Sequence, residues 1–185
     1  MAYTSQYPPE QSATYVNANN FGADWYQWFA TDPTNSLIGN WAGHSWCGAA
    51  SSNQRFHIDL GEAKIIKRLY YENSHSSGAY TVQGVKDFII QGSNSATAFA
   101  QLTYGTDTDW DTLTTDINTF VQHAAVDASD PHYVLITNST AYRYYAIKCA
   151  NTFGSPEYYM RIRRFELQTE DGSAVIGPFP THLNI

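Results

Sequence analysis

The sequence predicts an all-β chain folded as a single sandwich or jelly roll. Three observations point there. Helical periodicity is absent, whereas short runs rich in β-branched and aromatic residues recur from residue 54 onward, each bounded by Gly, Asn, Ser or Asp. Aromatic residues make up 15% of the chain, led by 14 Tyr and 5 Trp, an excess that suits a β-rich core or a contact surface. The length of 185 residues fits one domain and suffices to bury a core without metal or dense disulfides.

In chain order the strands are expected at residues 54–60, 64–71, 85–91, 118–123, 133–137, 142–149 and 160–168. In the first, Phe56, Ile58 and Leu60 alternate with Arg55, His57 and Asp59, giving the apolar and polar faces of a half-buried strand. With no helix long enough to cover a sheet, such strands bury their apolar faces against each other. Residues 171–185 carry Gly172, Gly177, Pro178 and Pro180 and read as a tail or linker.

Charge narrows the partners. A net charge of −7 and a pI near 5.2 argue against nucleic acid and anionic membrane, which require clustered Lys and Arg. None of the ten Lys and Arg residues precedes Arg55, yet four of the five Trp do. That uncharged, aromatic first third is also rich in Asn, Ser, Thr and Gly, which favours a convoluted loop with some exposed rings. No run is long and apolar enough to span a membrane, and the first twelve residues lack the basic and apolar regions of a signal peptide.

Cys47 and Cys149 are the only cysteines, so at most one bridge forms. Antiparallel pairing of the strand starting at Gln54 with the one ending at Cys149 would bring the two cysteines near each other; a bridge and two buried thiols both remain open. Enzyme motifs are missing: there is no HExxH, no GxSxG and no Gly-rich strand-to-helix loop. Asp107, Asp109 and Asp111 imitate the start of an EF-hand loop, but Thr112 replaces its Gly and Asn118 its final Glu.

Several segments, in order, resemble the discoidin or coagulation-factor type C family, whose relatives include galactose-binding carbohydrate modules. They are Phe56-His-Ile-Asp-Leu-Gly61, Lys64-Ile-Ile-Lys-Arg-Leu-Tyr70, Gly84-Val-Lys-Asp-Phe-Ile-Ile-Gln-Gly-Ser-Asn94, Tyr142-Arg-Tyr-Tyr-Ala-Ile-Lys148 and Ile162-Arg-Arg-Phe-Glu-Leu167. The resemblance implies a discoidin-like jelly-roll β-sandwich of about eight core strands with long loops at one end. It places an N-terminal extension at residues 1–12, the sandwich at 13–170 and the tail beyond.

It also implies a non-catalytic glycan-binding module, extracellular or associated with a virion or cell surface. Its ligand would sit on loops 19–52, 72–84 and 151–159. Candidate ligand-binding residues are Trp25, Trp28, Trp41 and His44 in the first loop, Asn73 and His75 in the second, and Asn151, Phe153 and Tyr158 in the third. A sugar site needs flat rings for the C–H face of a pyranose and amide, imidazole or guanidinium groups for its hydroxyls. Relatives often supply an Arg from the second loop, but residues 72–78 contain none. Asn151-Thr-Phe-Gly154 resembles the family's Asn-x-aromatic-Gly, so Asn151 and Phe153 are expected together on an exposed loop beside first-loop rings. The resemblance further implies a structural calcium, with Asp32 and Glu166 as candidate ligands and Ala30 where a first Asp would fall. The alternative from another class is a structural or assembly domain whose aromatic loops meet protein.

Overall fold

The computed structural model describes residues 2–154 and 158–172 as two antiparallel sheets packed face to face. The first sheet joins β1 (Tyr3–Gln6), β11 (Arg161–Glu170), β5 (Arg68–Asn73), β9 (Pro131–Thr137) and β8 (Thr114–Thr115) in that order, with β3 (Trp46–Cys47) also on β11. The second joins β2 (Val16–Ala18), β4 (Gln54–Lys64), β10 (Tyr142–Cys149), β6 (Phe88–Ser93) and β7 (Asp111–Thr112). No helix of the described residues is long and apolar enough to cross a membrane.

Rings form much of the contact between the sheets. Trp46 meets Phe56 at 5.1 Å, Phe56 meets Phe165 at 5.2 Å, and Phe120 stacks on Phe88 at 3.8 Å and meets Tyr71, tilted by 33°, at 4.1 Å. Phe120 lies in the segment expected as a strand at 118–123. That segment forms only an isolated bridge, Thr119 to Asp87, made by the Phe120 N–H on the Lys86 carbonyl and the Phe88 N–H on the Asn118 carbonyl; pairing stops at Val121, whose N–H donates to the Tyr71 hydroxyl.

Two expectations change. The boundary at residue 12 falls inside the fold, since β1 pairs along its length with residues 167–170 of β11. The polar face of β4 is not solvated: Arg55, His57 and Asp59 are buried, and the segment carrying α1 (Ala96–Ala100) and Trp110 lies against that face. There Arg55 donates to His57 Nε2 at 2.9 Å and to Asp107 at 2.9 Å, and His57 Nδ1 meets the Phe99 carbonyl at 2.8 Å. Burial pushes the His57 imidazole down to about 4, with the nearby Arg55 charge adding to it. Burial tends to raise the Asp107 carboxyl, but hydrogen bonds from Lys148, Gln91 and Arg55 prevail and hold it at about 2.

Of the two alternatives left open for the cysteines, the free thiols hold. Gln54 does sit opposite Cys149 in the β4–β10 ladder, but Cys47 pairs with Arg161 in the other sheet. Both thiols are free and buried. The three aspartates of the rejected EF-hand pattern each have a separate partner: Asp107 the cations Arg55 and Lys148, Asp109 the Ser95 hydroxyl, Asp111 the Tyr142 hydroxyl. Residues 173–185, expected as the tail, lie outside the described residues.

Candidate functional site

Strand ends place the site. β4, β6 and β11 begin, and β3, β5 and β10 finish, at one end of the sandwich, which gathers the loops around residues 19–45, 74–87 and 150–160. The first stretch of β11, Arg161-Ile-Arg-Arg164, organises them. Its ladder with β5 slips between Ile162 and Arg164, and such a bulge re-aims a side chain.

Arg163, at that bulge, is fully buried and donates to the carbonyls of Ser36 and Ile38 at 3.2 Å, to His75 at 2.9 Å, and to Gly39. Burial lowers its guanidinium to about 10, which leaves it charged at neutral pH. Carbonyl dipoles, not a carboxylate, solvate that charge. Arg164 adds a second tie, from the Asn35 carbonyl at 2.8 Å to the Glu166 carboxylate at 3.0 Å.

Arg161 supports the rings. Its guanidinium carbon lies 4.0 Å from the Trp41 centroid and 4.7 Å from that of Trp25, while the two indoles are 6.1 Å apart and inclined at 69°. Those distances put the cation in the corner of an L made by the rings, a geometry that favours cation–π attraction to both. The side chain of Gln83 accepts a hydrogen bond from Arg161. The Gly43 N–H donates to the Asp24 carbonyl at 2.9 Å, tying the two arms of the first loop together beside these rings.

Tyr80 completes the corner, 5.2 Å from Trp41 and exposed. Its backbone adopts φ 59°, ψ 26°, a left-handed conformation uncommon for a bulky side chain. The turn Thr81–Gln83 follows at once, and Gly84 bridges to Arg161. A Cβ at Gly84 would collide with the Asn73 side chain, so the close approach of the second loop requires glycine there.

Of the residues expected from sequence, Trp25 and Trp41 come together here. Trp28 does not: it stacks on Tyr26 at 4.2 Å and packs against the core. His44 stays within its own loop, with Nδ1 3.4 Å from Asn35 Oδ1 and its N–H on the Trp41 carbonyl. Asn73 and His75 are fully buried, so the expected contacts with sugar hydroxyls give way to structural ones. Asn73 donates to the carbonyls of Val85 and Val121, while His75 Nε2 meets the Leu37 carbonyl and His75 Nδ1 accepts from Gly78. Burial lowers the His75 imidazole, which keeps that accepting nitrogen unprotonated.

In the third loop, Asn151 takes the Asp87 N–H on its oxygen and donates to the Asp87 carboxylate at 2.8 Å, and that hydrogen bond lowers the Asp87 carboxyl. Phe153 is half-buried and, among the described residues, enters no ring–ring contact; the expected neighbourhood with first-loop rings is replaced by packing of the adjacent Gly154 on Val82. Tyr158 is exposed.

The calcium candidates do not fit an ion. Asp32 Oδ1 caps its own turn through the Thr34 N–H and hydroxyl, and Glu166 is held by Arg164 and the Ser5 hydroxyl. Arg164 itself spans from the Asn35 carbonyl to Glu166, so a cation already occupies the gap between loop and strand.

Arg161, Tyr80 and Gln83 were not singled out from sequence. The available signal was compositional: three of the ten Lys and Arg residues fall within Arg161-Ile-Arg-Arg164. Arg161, the first residue of the last strand, is the cation that lies against the loop rings.

No family model matches the sequence, and no curated protein matches it. Solved structures do. The family 32 carbohydrate-binding module of Clostridium perfringens NanJ, in complex with galactose, aligns with a TM-score of 0.57 at 10% identity, covering 91% of this chain and 100% of that one. Chitosan-binding module 1 of a chitosanase/glucanase from Paenibacillus sp. IK-5 aligns with a TM-score of 0.53 at 21% identity, covering 82% and 92%. The family 32 module of AlyQ, in complex with 4,5-unsaturated mannuronic acid, aligns with a TM-score of 0.54 at 16% identity, covering 89% and 97%. The chain therefore has the galactose-binding-like β-sandwich fold seen in family 32 and chitosan-binding carbohydrate-binding modules.

Proposed function

We propose that this chain is a non-catalytic glycan-binding module whose ligand seats against Trp25, Trp41 and Tyr80. The observation that carries the proposal is the angled pair of indoles at the loop end, with a buried guanidinium in its corner. Two inclined rings offer apolar faces to the C–H surfaces of a pyranose, and rings already anchored lose little freedom on binding. Exposed Asp24 and Asn40, each adjacent in sequence to one of the indoles, are the candidate partners for hydroxyls. The fold is that of binding modules, and the chain works where glycans are displayed, outside cells or on a surface.

Stacking plus a few neutral hydrogen bonds at about 1 kcal/mol each gives roughly millimolar to micromolar dissociation constants. Galactose, chitosan and a mannuronic acid, bound by the similar structures, are the first probes. A glycan array followed by titration calorimetry tests the reading. Binding lost in Trp41→Ala with the fold retained supports it, while an array without hits and self-association through the loops favours an assembly role.

A further inference from the structure

We infer that Phe21 and Tyr159 form a second ring platform beside the Trp25–Trp41 corner, so that the site takes an oligosaccharide chain and not a single terminal sugar. This rests on the glycan reading above. Phe21 is 52% exposed and Tyr159 38% exposed, yet the two rings meet at 4.4 Å and are tilted by 50°. Tyr158 beside them is 44% exposed. Adjoining large rings left in water on a loop surface mark a contact surface, where single exposed apolar residues would not.

The backbone places this pair next to the first. Phe21 donates its N–H to the Cys47 carbonyl at 2.9 Å, and Cys47 sits opposite Arg161 in the β3–β11 ladder. Tyr159 precedes Arg161 by two residues, which span at most about 7 Å when extended. On the other side, the Trp25 N–H returns to the Gly22 carbonyl at 3.0 Å, so the chain turns directly from Phe21 into Trp25. Both ring pairs thus grow from the same β3–β11 corner, one through Phe21 and Tyr159, the other through Trp25 and Arg161.

The surroundings favour a glycan as occupant. Asn19 and Asn20 precede Phe21, and the Ala49-Ala-Ser-Ser52 turn is held against Met160 by the Met160 N–H on the Ala50 carbonyl. Neutral amides and hydroxyls beside flat rings match the alternating C–H faces and hydroxyls of a sugar chain. The platform continues a ring surface already assigned to a sugar, so the next residue of the chain is its natural occupant.

Calorimetry with defined chains of one to four residues in three series, galacto-, chito- and mannurono-oligosaccharides, tests this. In the series that binds, affinity is expected to rise roughly two- to tenfold when the second platform is filled, the range of one added aromatic contact. Tyr159→Ala and, independently, Phe21→Ala should remove that increment while leaving the single-sugar affinity unchanged; both side chains are exposed. Trp41→Ala should weaken every length alike. Equal affinity for one residue and for longer chains, or variants that weaken all lengths equally, overturns the second platform but leaves the glycan reading standing. No binding in any series, with folded protein, overturns that reading and the platform with it.

Discussion

The Arg161 guanidinium lies 4.0 Å from the centre of the Trp41 ring, and the same cation is 4.7 Å from Trp25. It is buried, and its Nε has no hydrogen-bond partner among the described residues, so its main role toward these rings is to hold them at their angle. Arg161→Met keeps the length of the side chain and removes the charge. The cation–π attraction lost is about 1–2 kcal/mol, and affinity for an array hit is expected to fall about tenfold. Tryptophan emission should shift to the red as the indoles loosen, and Arg161→Lys should restore part of both. Unchanged affinity and emission would show that the rings hold themselves.

Arg163→Leu is expected to destabilise the fold by on the order of 3 kcal/mol or more, measured by urea unfolding. The reason is that the carbonyls of Ser36, Ile38, Gly39 and His75 would lose a shared donor, and unpaired buried polar groups carry a full desolvation penalty. Arg163→Lys should recover little, since one ammonium cannot reproduce the planar fork.

Stability should fall as pH drops from about 6.5 toward 4. The His57 value is pushed down by burial to about 4 in the fold, against 6.5 for the free side chain. Above pH 6.5 both states are neutral and the contribution is whole; below it the unfolded chain takes up a proton that the fold refuses. Fully developed near pH 4, the loss is on the order of 3 kcal/mol. Buried His75, also lowered, acts in the same direction. An NMR titration in which the His57 ring protonates near its ordinary value would contradict this.

Both thiols should stay free and unreactive in the native state. Burial raises the Cys47 and Cys149 thiols, and the thiolate is the reactive form. Intact mass should not change with reductant, and a thiol reagent should label two groups only in denaturant. Rapid labelling of folded protein would refute the buried placement.

Chelation should leave the melting temperature unchanged, because Arg164 already bridges the Asn35 carbonyl and the Glu166 carboxylate. Added calcium is expected to have no effect. A melting temperature that rises with calcium and falls with EDTA would show that an ion displaces Arg164 or binds elsewhere.

Strands with strong local patterns were legible in the sequence. Residues 54–60, 142–149 and 160–168 form β4, β10 and β11 within a few residues, because alternation and β-branched content act over neighbouring positions. β3, β7 and β8 were not legible: each is two residues long and exists only through its partner strand. The polar face of β4 was misread for a related reason. Arg55 and His57 look like surface residues until a distant segment covers them and supplies hydrogen bonds.

By itself the sequence determined a sandwich, an aromatic first loop poor in basic residues, and an overall charge ill-suited to polyanions, since these follow from composition and short-range periodicity. Tertiary structure decided which rings meet. Trp25 and Trp41 converge while Trp28 turns inward, Asn73 and His75 are consumed by backbone contacts, and the cation beneath the rings comes from Arg161. The site is assembled from residues up to 136 positions apart (Trp25 to Arg161), and loop conformation is set by long-range hydrogen bonds such as those of Arg163, which no local pattern encodes.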